Sequence, residues 1–415
     1  MSRIVLVGIG SRGDIAPLTG LGVGLRDAGH EVLVASHWMF AEQITGCGLE
    51  FREMALDLEI DTDTDINRLA AGWKFSSPSG VRGMGLGMIE ALRDEPADVL
   101  LLPPPTEYAG LALAEAKGIP SIGLRFQPLS ATAAHAPAAL GPYDFGGRGN
   151  RLAADFGAWF NDSFYAGTIA AFRRELGLPP LSARAARRQR TAAQWPILNG
   201  FSPSVVARPA DWRPGLEVTG YWWPPRPDRW EPPAELVDFL DAGPPPVFLG
   251  FGSMVDNAAG SARMSTIIGK AVRRAGVRAV IQPGWMRLDV PGDDVLTIGE
   301  VPHDWLFPRM AALAHHCGAG TTAAGLRAGV PAIGVPVYAD QPFWARRLVD
   351  LGVSPATIPY GKMSEDLLTD AILRATTQNS LRDNAIRMSA RIGAEDGVGL
   401  AVKSIEAHLT AASPR

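Results

Sequence analysis

Residues 315 to 322 read HHCGAGTT, and what these positions can hold decides the fold around them. Two histidines and a cysteine in succession suggest a metal site. Consecutive residues on an extended strand point to alternate faces, however, so His315, His316 and Cys317 cannot converge on one ion. The chain's other cysteine is Cys47, and no further cysteine stands at zinc spacing. The backbone offers a different chemistry. Ala311 to His315 reads as a strand, Gly318-Ala319-Gly320 as a turn without bulky side chains, and Thr321 to Ala328 as a helix. Such a turn exposes amide N–H groups beside the positive end of a helix dipole, which suits an anion and in particular a diphosphate. His316, just before the turn, and the Thr321 hydroxyl can add donors.

The alternation extends in both directions. Val247 to Phe251 and Arg278 to Gln282 read as strands around a helix over Ala262 to Ala275. In the first half, the aliphatic run Ile4 to Val7 is typical of a parallel strand covered on both faces. A glycine-rich loop follows, then a helix expected from Pro17 to Ala28 and a strand from Glu31 to Ala35. Asp98 to Leu102, Glu107 to Lys117 and Ile119 to Leu124 repeat the pattern. The fold class is therefore α/β, with two Rossmann-like doubly wound domains facing across a cleft. The expected divisions are a first Rossmann-like domain over 1–215, a linker over 216–242, a second Rossmann-like domain over 243–395 and a C-terminal helix over 396–415. The linker rests on YWWPPRPDRWEPP from Tyr221, too rich in proline for a central strand or a helix interior. The last helix is expected to pack back on the first domain.

Composition narrows the function. The chain has 415 residues, a formal charge of −4 and 47% hydrophobic residues, enough for two cores and without a basic field for nucleic acid. Two cysteines fit a reduced compartment, and no apolar stretch of membrane-spanning length occurs, so a cytoplasmic monomer or homodimer is expected. Arg184-Ala185-Ala186-Arg187-Arg188-Gln189-Arg190 is the one basic cluster. A solvated helix face is the reading preferred over membrane contact.

The stretch from Val301 to Gly352, VPHDWLFPRMAALAHHCGAGTTAAGLRAGVPAIGVPVYADQPFWARRLVDLG, closely resembles the donor-binding region of inverting GT-B-fold nucleotide-sugar glycosyltransferases. The resemblance extends to GSRGDIAPLTGLGVGLRDAGHEV from Gly10 and GPPPVFLGFGSM from Gly243. It points to bacterial natural-product enzymes of the glycopeptide-antibiotic type and to sterol glucosyltransferases. Their pattern implies a dTDP- or UDP-sugar donor as cosubstrate with no other cofactor and no metal. The diphosphate would be held by Ser11, Ser253, His316, Gly318, Ala319, Gly320 and Thr321, and the donor sugar by Asp340 and Gln341. Cys317 stands where members commonly carry glycine. Glu300-Val301-Pro302-His303 replaces the base-stacking tryptophan of plant relatives, leaving backbone contacts near Val301 for the base.

An acceptor hydroxyl is a poor nucleophile, so transfer needs a general base, and Asp14 is the candidate. Its competing role is to cap the helix that follows. Trp73, Phe75, Met84 and Met88 would form an adaptable apolar wall for a polyketide, macrolide, polycyclic, glycopeptide or sterol-like acceptor; equally they could be ordinary core. Asp61-Thr62-Asp63-Thr64-Asp65 contains a DxD pattern but reads as a solvated loop. Two rivals are an NAD-dependent oxidoreductase and a catalytically silent glycosyltransferase-like partner protein. The first rests on Gly8-Ile9-Gly10-Ser11-Arg12-Gly13, formally GxGxxG, although Ser36 and His37 stand where that fingerprint wants an acid. The second would be expected to have lost the phosphate loop or Asp14, and neither is lost.

Overall fold

The computed structural model describes residues 1–55, 76–226 and 230–412. Its first sheet is entirely parallel: β1 (Arg3–Val7), β2 (Glu31–Ser36), β3 (Glu50–Glu53), β4 (Val99–Leu102), β5 (Ser121–Arg125), β6 (Ile197–Asn199) and β7 (Leu216–Val218), in the order β3-β2-β1-β4-β5-β6-β7. The second has β8 (Val247–Gly250), β9 (Ala279–Gln282), β10 (Val295–Thr297), β11 (Ala312–His315) and β12 (Ala332–Gly334), in the order β10-β9-β8-β11-β12. In each sheet the strand order reverses beside the first strand, at β1/β4 and at β8/β11. Such reversals open a crevice at the carboxyl ends of the strands.

The continuous apolar strands follow from coverage on both faces. Ile4 and Leu6 pack under the helices Arg12–Asp27 and Gly397–Ala412. Val5 and Val7 face the helices Pro78–Leu92 and Glu107–Lys117. The C-terminal helix crosses the first helix so closely that a Cβ on Gly24 would lie 2.2 Å from Val398 Cγ1. Met84 and Met88 belong to this core, Met88 fully buried, so of the two readings open to them, acceptor wall and ordinary core, the packing favours core. Their i, i+4 spacing places both on the sheet-facing side of helix Pro78–Leu92. Trp73, Phe75 and Asp61-Thr62-Asp63-Thr64-Asp65 lie outside the described residues.

Three expected boundaries move. The first helix begins at Arg12 and carries Pro17 inside it, where Pro17 removes the N–H that would bond Gly13 O. The 319–328 helix begins at Ala319, with Gly318 as N-cap. Leu216–Val218, inside the stretch expected as linker, pairs with β6. After it, Trp222 is buried edge-on to Phe126 and donates from Nε1 to Thr219 Oγ1 at 3.0 Å. Trp223 backbone packs on Gly20, and the Arg327 guanidinium lies 4.4 Å from the Trp223 ring. This segment therefore touches helices of both units.

Candidate functional site

β8 and β11 pair in register, His315 opposite Gly250, so the turns that leave them start side by side. The imidazole of His316 fills the space between these turns. A Cβ on Gly252 would come within 3.0 Å of His316 Cε1, and one on Gly318 within 2.6 Å of His316 Nε2. Glycine at both positions is what admits the ring. Burial, with a smaller contribution from His303, holds His316 down at about 4, so it is a neutral imidazole with one N–H to give. Its Nδ1 is buried without a hydrogen-bond partner among the described residues.

His315 points elsewhere, as strand alternation requires. It is fully buried, and its Nδ1 accepts the Cys317 N–H at 3.1 Å. Burial pushes it down to about 3. Cys317 takes φ +63°, the left-handed region that favours glycine, and its buried thiol packs beside Gly334. Burial pushes that thiol up, so it is neither thiolate nor nucleophile. Beyond it, Ala319, Gly320 and Thr321 occupy the first three helical positions, whose amides have no partner within the helix.

The first unit brings a second helix N-terminus to the same place. A Cβ on Gly320 would lie 3.7 Å from Gly13 O, so the helices Arg12–Asp27 and Ala319–Ala328 meet end to end across the cleft. Ser11 is the N-cap of the first and Asp14 its third residue. Ser11 donates its N–H at 2.7 Å and its hydroxyl at 2.9 Å to Asp14 Oδ2. Asp14 therefore does cap the helix, and only one of its oxygens is committed to that role. Burial raises its pKa above the ordinary carboxylate value, and the two Ser11 bonds oppose the rise.

Asp340 reaches the same region from the other unit. Burial, followed by smaller contributions that include the charge of Asp14, raises it to about 6 although Trp344 Nε1 donates to Oδ2 at 2.8 Å and Gln127 adds a further bond. Tyr338 responds to both carboxylates: burial raises its phenol first, then Asp14 and Asp340. Ala339, between Tyr338 and Asp340, sits at φ +55°. Backbone strain of this kind tends to gather at functional sites. Gln341, expected as a sugar ligand, also braces the loop. Its Oε1 accepts from Val337 N at 2.9 Å and Tyr338 N at 3.3 Å, and its Nε2 points at Met254 Sδ at 3.3 Å. These contacts leave one N–H of the Gln341 amide over, so bracing the loop is compatible with the expected contact to a sugar hydroxyl.

Comparison with known proteins decides the family. Residues 4–91 match the glycosyltransferase family 28 N-terminal domain, and residues 285–405 match the C-terminal domain of erythromycin biosynthesis protein CIII-like proteins. An O-mycaminosyltylonolide 6-deoxyallosyltransferase of Streptomyces fradiae is 32% identical over 97% of this chain and 97% of its own length. The chain belongs to the GT-B glycosyltransferases. A sterol 3-beta-glucosyltransferase of Arabidopsis thaliana is 33% identical over 99% of the chain, which spans 66% of that protein's length. A glycosyltransferase from Streptomyces sp. SF2575, solved in complex with thymidine diphosphate, superposes with TM-score 0.60 at 22% identity, covering 98% of this chain and 99% of that one. This likeness shows the fold.

Within the glycosyltransferase frame, the turns of Ser253 and His316, the amides from Gly318 to Thr321, and the Ser11–Asp14 pair gather at one cleft. Val301 is buried in the second unit's core, so the backbone is what it can offer. Arg12 and Glu300, exposed side chains of the two units, form an ion pair across the opening. Sequence reasoning missed that pair, Tyr338, Gln127 and Trp344. Of these, only Trp344, one turn beyond Asp340, carried a local signal. The oxidoreductase reading loses its footing at Ser36, which is buried and donates its hydroxyl to Gly8 O at 2.9 Å. That position braces the glycine loop and offers no carboxylate to a ribose.

Proposed function

We propose that this chain is a metal-independent inverting glycosyltransferase that moves a sugar from a dTDP- or UDP-sugar to a hydroxyl of an apolar small-molecule acceptor. The observation that carries the reading is the end-to-end meeting of two helix N-termini beside His316, with Asp14 and Asp340 on either side. The Ala319, Gly320 and Thr321 amides, the neutral His316 and Ser253 receive the diphosphate, whose negative charge grows as the sugar departs. Asp340 takes hydroxyls of the donor sugar. Asp14 Oδ1, free of the capping bonds, removes the acceptor proton as that oxygen forms its bond to the anomeric carbon and the bond to the diphosphate breaks. A single displacement inverts the configuration. A carboxylate raised by burial is a better base than an exposed one.

The apolar acceptor is supported by the macrolide and sterol substrates named in the relatives' own descriptions. A thymidine nucleotide is supported by the complex of the Streptomyces sp. SF2575 neighbour. The test is incubation with dTDP- and UDP-sugars and a panel of macrolide, polyketide and sterol acceptors in the presence of a chelator. Glycoside of inverted configuration with release of nucleoside diphosphate is expected. A retained configuration, or transfer only when a divalent ion is restored, would overturn the proposal.

A further inference from the structure

The helix Gly146–Phe164 is inside-out. Its inward side is built from small residues, Ala153, Ala154, Gly157 and Ala158, while Leu152, Phe156, Trp159 and Phe160 face solvent at 69%, 63%, 54% and 49% exposure. Spacings of four, three and one residue place these four on one stripe, covering two turns. The stripe, edged by the exposed Arg148 and Asp155, turns away from its own core and marks a surface that something else covers.

The surroundings say what covers it. Helix Ala183–Ala192 lies alongside, held where Arg187 Nε donates to Asp162 at 2.9 Å. Asp162 is three residues beyond Trp159, so this contact sits one turn from the aromatic stripe. Arg184 and Arg188, exposed and three residues before and one after Arg187, share that side of their helix. Of the eight arginines between residues 146 and 192, Arg173 is buried on Glu115 and Arg151 and Arg187 pair with Asp211 and Asp162, while Arg148, Arg174, Arg184 and Arg188 are exposed, in a chain whose net charge is −4. A second copy of this face would bring the same positive charge against itself. An apolar stripe edged by arginine fits a surface that is apolar within and anionic outside.

We propose that the outward face of helix Gly146–Phe164 docks on an anionic phospholipid surface, the aromatic stripe entering the headgroup boundary and Arg184 and Arg188 meeting lipid phosphates. The helix starts five residues after Gly141, which packs on Pro342 beside Asp340 and Gln341. Docking thus sets the cleft mouth near the lipid. In that respect the inference rests on the apolar-acceptor reading, from which such a position would supply a lipid-dissolved acceptor.

The test uses the whole chain without nucleotide and sedimentation with vesicles of phosphatidylcholine alone or doped with phosphatidylglycerol. Binding to the doped vesicles is expected, and roughly tenfold or more weaker binding for Phe156→Ser/Trp159→Ser and for Arg184→Glu/Arg188→Glu. Both variants change exposed side chains, and an unshifted melting curve confirms the fold. Failure to bind doped vesicles, equal binding to neutral ones, or a dimer in sedimentation velocity that the aromatic variant abolishes would overturn the proposal. Nucleotide binding, read separately on the same protein, keeps failure of docking distinct from failure of the transferase reading.

Discussion

Ser11 and Asp14 form a closed pair in which backbone N–H and hydroxyl of the serine converge on one oxygen of the carboxylate, at 2.7 and 2.9 Å. The pair caps the first helix through Oδ2 and leaves Oδ1 outside those bonds. The cap and the proposed base role separate by substitution. Asp14→Asn keeps an acceptor for the cap but cannot take a proton, so transfer is expected to fall about 10²-fold or more while nucleotide affinity and melting temperature hold. Asp14→Ala adds loss of the cap, about 1 kcal/mol of stability. Turnover and thermal denaturation of the two variants check this; an active Asp14→Asn would remove the base from the account.

Ser11→Ala deletes one of the bonds that favour ionised Asp14. The Asp14 pKa then rises further, and the acidic limb of the rate profile should move to higher pH. A pH profile of kcat/KM for wild type and Ser11→Ala measures the direction. A shift to lower pH, or none, would mean that Asp14 is not the titrating base.

The buried histidines give stability a pH dependence. His303 and His316 are held at about 4 and His315 at about 3, each by burial first, against about 6.5 in an unfolded chain. Between these values the unfolded state binds more protons, so the contribution is present above pH about 6.5 and is lost as pH falls toward 4 and then 3. Asp340, raised to about 6, acts oppositely: it favours the fold at low pH and that contribution is lost as pH rises through 6. Asp14, also raised by burial, acts in the same direction as Asp340, and the three bases outweigh these two acids. Melting temperature should drop on acidification from pH 7 to 5, and Asp340→Asn should steepen the drop; urea titrations at each pH give the same slopes.

Cys317 holds a left-handed conformation that costs a non-glycine residue about 1 kcal/mol. Cys317→Gly relieves that cost but vacates the thiol's contacts at Gly334, so stability should change by only about 1 kcal/mol in either direction and transfer should survive. Cys317→Val, β-branched at positive φ, should melt several degrees lower. Retained transfer in Cys317→Gly also verifies that the thiol takes no part in chemistry.

Much of the fold was legible because parallel strands covered on both faces are unbroken aliphatic runs. The helix Glu107–Lys117 was delimited correctly by its apolar spacing and the glycine that ends it, Gly118, at φ +66°. The first helix was less legible because its start is glycine and proline: Gly13 and Pro17 suggest a loop, and only packing and the Ser11 cap turn residues 12 to 17 into helix. The place of His316 beside the glycine turn was legible because it depends on neighbours in sequence. Asp14, Tyr338 and Asp340 meet only because two units face each other, and no local pattern encodes that. Met84 and Met88 mark the opposite limit: an apolar i, i+4 pair looks alike in a core and in a binding wall.

The most direct test of the central claim is calorimetric binding of UDP, dTDP and NADH, without added metal, to wild type and to His316→Ala. The account predicts micromolar binding of a nucleoside diphosphate, weakened about tenfold or more when the imidazole is removed. Binding of NADH alone, indifferent to His316, would contradict it.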